Sequence, residues 1–130
     1  MSSVMQAEVT PQTVLVVDDD AFITRAVGCI FEQARQVRVI AARNGEEALA
    51  MAKISQPDMI ILDVNMPGME ARELCQRLRA VRGLAETPLY VLTGILPDNA
   101  TLAPLREYTQ GILNKPPNPG ELLAALDALA

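Results

Sequence analysis

Ile60-Ile61-Leu62-Asp63-Val64-Asn65-Met66-Pro67-Gly68-Met69 decides the fold. Three apolar residues lead into a carboxylate, and a Pro-Gly turn follows almost at once. A short apolar run bounded by turn residues reads as a strand buried on both faces, as in parallel sheets. Such a strand delivers its last side chain to the carboxyl edge of the sheet, where open α/β sheets bind ligands. Asp63 therefore stands at that edge on a rigid element, with a loop directly after it.

Outward from this strand, the pattern alternates. Val14-Leu15-Val16-Val17 is a β-branched run ending in Asp18-Asp19-Asp20, a first strand with acids at its tip. Phe22, Ile23, Ala26, Val27, Ile30 and Phe31 recur at helical spacing. Val37 to Ala42 is a second strand, placed at an edge because Arg38 interrupts it. Asn44 with Glu47 fits a capped helix start, and that helix runs to about Ser55. After the Pro-Gly turn, Ala71, Leu74, Cys75, Leu78 and Val81 share one helical face, leaving Arg72, Arg77, Arg79 and Arg82 mostly solvated. Leu89 to Leu92 is a fourth strand ending at Thr93-Gly94. Pro97 and Pro104 restrict the next helix to a short segment or one restarted at Pro104. Gly111 to Asn114 is a fifth strand ending at Lys115-Pro116-Pro117. Asn118-Pro119 with Glu121 opens a last helix carrying Leu122, Leu126 and Leu129.

Five strands alternating with five helices predict an α/β fold with a doubly wound parallel sheet. Right-handed crossovers give the flavodoxin-like strand order 2-1-3-4-5. Strands one and three are then neighbours, so Asp18, Asp19 and Asp63 crowd one end of the sheet. Thr93 and Lys115 fall at the tips of the strands beyond. Residues 1–12 read as a flexible lead, and residues 13–130 as one domain.

Composition narrows the chemistry. A net charge of −5 argues against gripping a phosphate backbone directly. No apolar run is long enough for a membrane span. Cys29 and Cys75 lie in helical patterns without metal-ligand spacing and read as buried, reduced thiols, which suits the cytoplasm. There is no histidine, which excludes His-based triads and His-ligated metals, and there is no Gly-rich phosphate loop.

Three carboxylates within about 5 Å repel by roughly 3 kcal/mol per pair at an effective dielectric near 20. Protons or a cation must relieve that repulsion. Hard oxygen ligands open to water suit Mg²⁺ better than zinc or copper. Such a cation bridges to a phosphoryl group, and Asp63, alone at the centre of the edge, is the nucleophile candidate for an aspartyl phosphate. Lys115 suits one phosphoryl oxygen as a point charge and the Thr93 hydroxyl another, while the Asn65 carbonyl is close enough in sequence to join the metal shell. Taken singly, each residue has a plainer reading: a helix cap for Asp18-Asp19-Asp20, a turn for Asn65 and Thr93, and a surface charge for Lys115.

Together the blocks Asp18-Asp19, Leu62 to Gly68, Leu92-Thr93-Gly94 and Asn114-Lys115-Pro116 resemble the receiver domain of two-component response regulators, from about Thr13 to Ala130. The resemblance implies that Asp63 accepts a phosphoryl group from a phosphohistidine on a sensor histidine kinase or phosphotransfer protein. It implies Mg²⁺ held by Asp19, Asp63 and the Asn65 carbonyl, with Asp18 acting largely through water. Lys115 and Thr93 contact the phosphoryl oxygens, and the Lys115-Pro116 bond is expected to be cis. The chain is then a cytoplasmic signalling domain rather than an enzyme, standing alone or belonging to a longer polypeptide, and acting on a protein target or output domain.

Two features depart from the family. Ile112 occupies the position where a Tyr or Phe usually precedes the lysine by three residues, leaving Tyr108 and Tyr90 as the available aromatics. The prolines make the fourth helix unusual. Ile95, two residues past Thr93, cannot hydrogen-bond a hydrolytic water, which predicts a longer-lived phosphoryl group than in Ile95→Glu or Ile95→Gln. Two other readings compete. One is a receiver fold that binds partners without phosphorylation. The other is a dehalogenase-type phosphatase with Asp18 as nucleophile and Asp20 as acid.

Overall fold

The computed structural model describes residues 12–34, 36–66, 68–94 and 102–129. Five strands form one parallel sheet: β1 (Gln12–Val17), β2 (Val37–Ala42), β3 (Met59–Asp63), β4 (Leu89–Thr93) and β5 (Gly111–Asn114), in the order β2-β1-β3-β4-β5. The helices are α1 (Ala21–Ala34), α2 (Gly45–Ser55), α3 (Ala71–Ala80) and α4 (Pro119–Asp127). The expected strand order holds.

Strand periodicity of two divides the core between two faces. Leu15, Val17, Ile60, Leu62, Leu89 and Val91 face one side, where they meet Ala48 and Ala52 of α2 and Leu74, Cys75 and Leu78 of α3. Val14, Val16, Met59, Ile61, Leu92 and Leu113 face the other, against Val27 and Phe31 of α1 and Leu122 and Leu126 of α4. All five residues of β3 are buried, as a central parallel strand requires.

Several expectations need correction. Five helices were expected, but the described residues contain four α-helices. Around Pro104 they hold only a single 3₁₀ turn, Ala103–Leu105. Proline lacks the N–H and its ring clashes with the preceding turn, so the helical pattern is not sustained there. Pro97 and Ile95 lie outside the described residues. So do residues 1–11 of the expected lead, whereas Gln12 already pairs with Val37 in β1.

Phe22 is 74% exposed and Cys29 is also exposed, so neither belongs to the buried stripe of α1. Ile23, Val27 and Phe31 are the buried residues of that stripe, with Ile30 packed beside them. Cys75 is buried as expected, and burial pushes its thiol pKa up to about 11. Arg79 is not a solvated charge. Its guanidinium is partly buried and donates to the carbonyls of Leu84 (3.1 Å), Thr87 and Tyr108 (2.6 Å), tying α3 to the segments flanking β4. The reach of a forked side chain to three backbone carbonyls is a tertiary fact that helical periodicity does not encode.

Candidate functional site

The register of the sheet assembles the site. Val17 is opposite Leu62, so the next residues, Asp18 and Asp63, arrive side by side at the carboxyl edge. Leu92 is opposite Asp63 and Thr93 opposite Asn114, which brings Lys115 to the same end. Backbone bonds extend the ladder beyond the strands: Asp18 N–H donates to the Ala42 carbonyl (3.0 Å), and Lys115 N–H donates to the Thr93 carbonyl (2.9 Å).

Asp18 is fully buried, and Asp63 and Thr93 nearly so, while Asp19 is exposed. Oxygens of Asp18, Asp19 and Asp63 lie within 4.8 Å of one another. Lys115 Nζ stands 3.2 Å from Asp63 Oδ2, to which it donates a hydrogen bond, and 3.1 Å from Asp18 Oδ2. Asp18 Oδ2 itself accepts no aligned hydrogen bond. Its other oxygen accepts from the Asp20 N–H (2.9 Å), and Asp63 Oδ1 accepts from the Asn65 N–H (3.1 Å). Asn65 is exposed at the start of the loop.

The electrostatics follow from this crowding. Burial, the largest influence, pushes the Asp18 carboxyl above its ordinary 3.8, and the neighbouring Asp63 charge adds to the rise. The Asp20 N–H and Lys115 oppose it only in part. Burial alone lowers the Lys115 ammonium, but the Asp18 and Asp63 carboxylates more than offset this and hold it above 10.5. A buried carboxylate oxygen paired only with the Lys115 ammonium, with the Asp19 and Asp63 carboxylates beside it, makes a donor set fitted to a hard divalent cation.

Of the site residues read from the sequence, Asp18, Asp19, Asp63 and Lys115 come together, with Asn65 bonded to Asp63 through its N–H and Thr93 at the tip of the neighbouring strand. Asp20 does not join the cluster. It caps α1, its side chain accepting from Phe22 N–H (2.9 Å) and its carbonyl from Ile23 and Thr24. The helix-cap reading thus holds for Asp20, while Asp18 and Asp19 face the site. The Lys115-Pro116 bond is cis. Ile112 is 45% exposed, Tyr108 is held through its hydroxyl by Gln76 (2.9 Å), and Tyr90 lies against Gly111. Sequence also gave Glu121 only a capping role. Asn118 does accept from the Glu121 N–H (3.2 Å), but the Glu121 carboxylate reaches Asn114 instead.

A sequence profile described as the response regulator receiver domain matches residues 14–127. The nitrate/nitrite response regulator protein NarL of Escherichia coli K12 is 31% identical over 121 residues, 92% of this chain and 55% of that protein. The phosphate regulon transcriptional regulatory protein PhoB of Pseudomonas aeruginosa is 30% identical over 118 residues, 91% of this chain and 51% of that protein. The chain thus spans about half the length of the curated relatives it matches. Among solved structures, the chemotaxis response regulator CheY4 of Vibrio cholerae superposes with a TM-score of 0.82 at 34% identity, covering 93% of this chain and 100% of that one.

Proposed function

This chain belongs to the response regulator receiver domain family, and from that membership we propose that Asp63 is its phosphoacceptor. The donor is a phosphohistidine on a sensor histidine kinase or phosphotransfer protein. A carboxylate oxygen of Asp63 attacks phosphorus, the P–N bond breaks, and the departing imidazole keeps the electron pair and takes up a proton from solvent. The absence of histidine in this chain suits that role, because the partner carries it.

Positioning and charge dominate such a transfer. Lys115 balances the charge of an incoming phosphoryl oxygen, being already within 3.2 Å of the attacking carboxylate. The Thr93 hydroxyl binds a second oxygen from the tip of the adjacent strand. The carboxylates of Asp18, Asp19 and Asp63 with the Asn65 carbonyl would hold Mg²⁺, which when bound neutralises phosphoryl charge. Phosphorylation then alters contacts with a protein target or an attached output domain. The same composition and charge favour protein partners over nucleic acid or membrane, in the cytoplasm. No described helix is long and apolar enough to cross a membrane.

The observation that carries this reading is the convergence of two further acids, Asp18 and Asp19, and one lysine on Asp63 at the carboxyl edge. Mass spectrometry after treatment with phosphoramidate and Mg²⁺ tests it. A gain of one phosphoryl group on Asp63, lost in Asp63→Asn, is expected. Modification at Asp18 would favour the phosphatase reading, and none at all an interaction module.

A further inference from the structure

Lys115 has a long, flexible stem, so where its ammonium sits depends on how firmly its backbone is fixed. On one side the fixing is plain: its N–H donates to the Thr93 carbonyl, and its stem lies over Gly94, where an added Cβ would come within 3.5 Å of Lys115 Cβ. The other side is a problem. β5 has four residues and forms the edge of the sheet, so the outward N–H of Asn114 meets no further strand. Glu121, in the first turn of α4, fills that place. Its Oε1 accepts from the Asn114 N–H (3.2 Å) and its Oε2 from Asn114 Nδ2 (2.9 Å). A two-point contact fixes orientation as well as distance.

We propose that Glu121 is a positioning residue for Lys115, holding the end of β5 so that the lysine ammonium stays between Asp18 and Asp63. The proposal rests on the phosphoacceptor reading for its catalytic consequence, but not for its electrostatic one. An ammonium held against two carboxylates promotes phosphoryl uptake and opposes a divalent cation. Loosening it changes the two in opposite directions, whereas general loosening of the site weakens both.

The experiment compares wild type, Glu121→Ala, Glu121→Gln and Lys115→Ala, each checked for folding by circular dichroism. Mg²⁺ affinity is measured by calorimetry and phosphoryl uptake from phosphoramidate by mass spectrometry. Glu121→Ala is expected to bind Mg²⁺ about threefold more tightly and to take up phosphoryl groups about tenfold more slowly. Glu121→Gln, which keeps an acceptor for the Asn114 N–H, recovers most of the uptake. In a Lys115→Ala background, Glu121→Ala should no longer tighten Mg²⁺ binding. Unchanged or weaker Mg²⁺ binding in Glu121→Ala, or the same tightening without Lys115, overturns the proposal. Should Glu121→Ala not fold, Asn114→Ala removes one of the two bonds, and a smaller tightening is expected; no tightening overturns the proposal. A wild type that takes up no phosphoryl group sinks the phosphoacceptor reading, while the Mg²⁺ measurements still decide the role of Glu121.

Discussion

Lys115 Nζ stands 3.1 Å from Asp18 Oδ2, an oxygen that accepts no aligned hydrogen bond. The lysine therefore occupies part of the field a divalent cation needs. Its ammonium stays charged at neutral pH, since the two carboxylates hold its pKa above 10.5. Removing it in Lys115→Ala should tighten Mg²⁺ binding by about tenfold while slowing phosphoryl uptake. Weaker Mg²⁺ binding in this variant would mean that the lysine holds the carboxylates in place rather than competing for them.

Asp18 carries a cost in the metal-free protein. Its folded pKa is raised, by burial first and by Asp63 next, so ionising it destabilises the native state. That cost is full above the raised pKa, shrinks as pH falls through it, and vanishes below the unfolded value of 3.8. Asp18→Asn mimics the neutral form. Without metal it should melt a few degrees higher than wild type at pH 7 and lose that advantage toward pH 4. A lower melting temperature at pH 7 would contradict this account.

Arg79 joins α3 to the carbonyls of Leu84, Thr87 and Tyr108. Arg79→Ala removes a charged donor from all three carbonyls, of which Leu84 keeps the Thr87 N–H (3.3 Å), and should cost about 2–3 kcal/mol in urea denaturation. Arg79→Lys should recover less than half, because a point charge cannot serve three divergent carbonyls. Full recovery by lysine would reduce the contact to a charge effect.

Gly45 opens α2 beneath the loop that follows Asp63. A Cβ there would approach Met69 Cβ and Sδ at 3.1 Å and Cε at 3.2 Å. The thioether can swing away, but Met69 Cβ moves only with its backbone. Gly45→Val should destabilise the fold by about 1–3 kcal/mol, and pairing it with Met69→Ala should recover part of the loss. Equal stability of Gly45→Val and wild type would show that the loop gives freely.

The two thiols should separate cleanly in reactivity. Cys29 is exposed, whereas Cys75 is buried with its pKa pushed up to about 11. A thiol reagent at pH 8 is expected to modify one cysteine in the native protein and two after denaturation. Rapid labelling of Cys75 in the native state would place opening of α3 on the labelling timescale.

The sequence by itself determined the sheet, because strands buried on both faces must be short apolar runs and each ends in a turn. It also determined that Asp18, Asp63, Thr93 and Lys115 share one edge, since parallel strands all end on the same side. It put Asp18 and Asp19 at that edge as well, but it gave all three successive acids the same plain reading as a helix cap, because a cap and a cation ligand demand the same side chain; the backbone path at α1 is what makes Asp20 the cap and turns Asp18 to the site. Helical spacing put Phe22 and Cys29 inside, but the stripe that meets the sheet is narrower than the apolar face. Helical spacing shows Arg79 and Glu121 only as surface charge and helix cap, because their partners lie distant in sequence or at a sheet edge. Period and composition report which residues seek burial. Where a long polar side chain ends is decided only once the elements are packed.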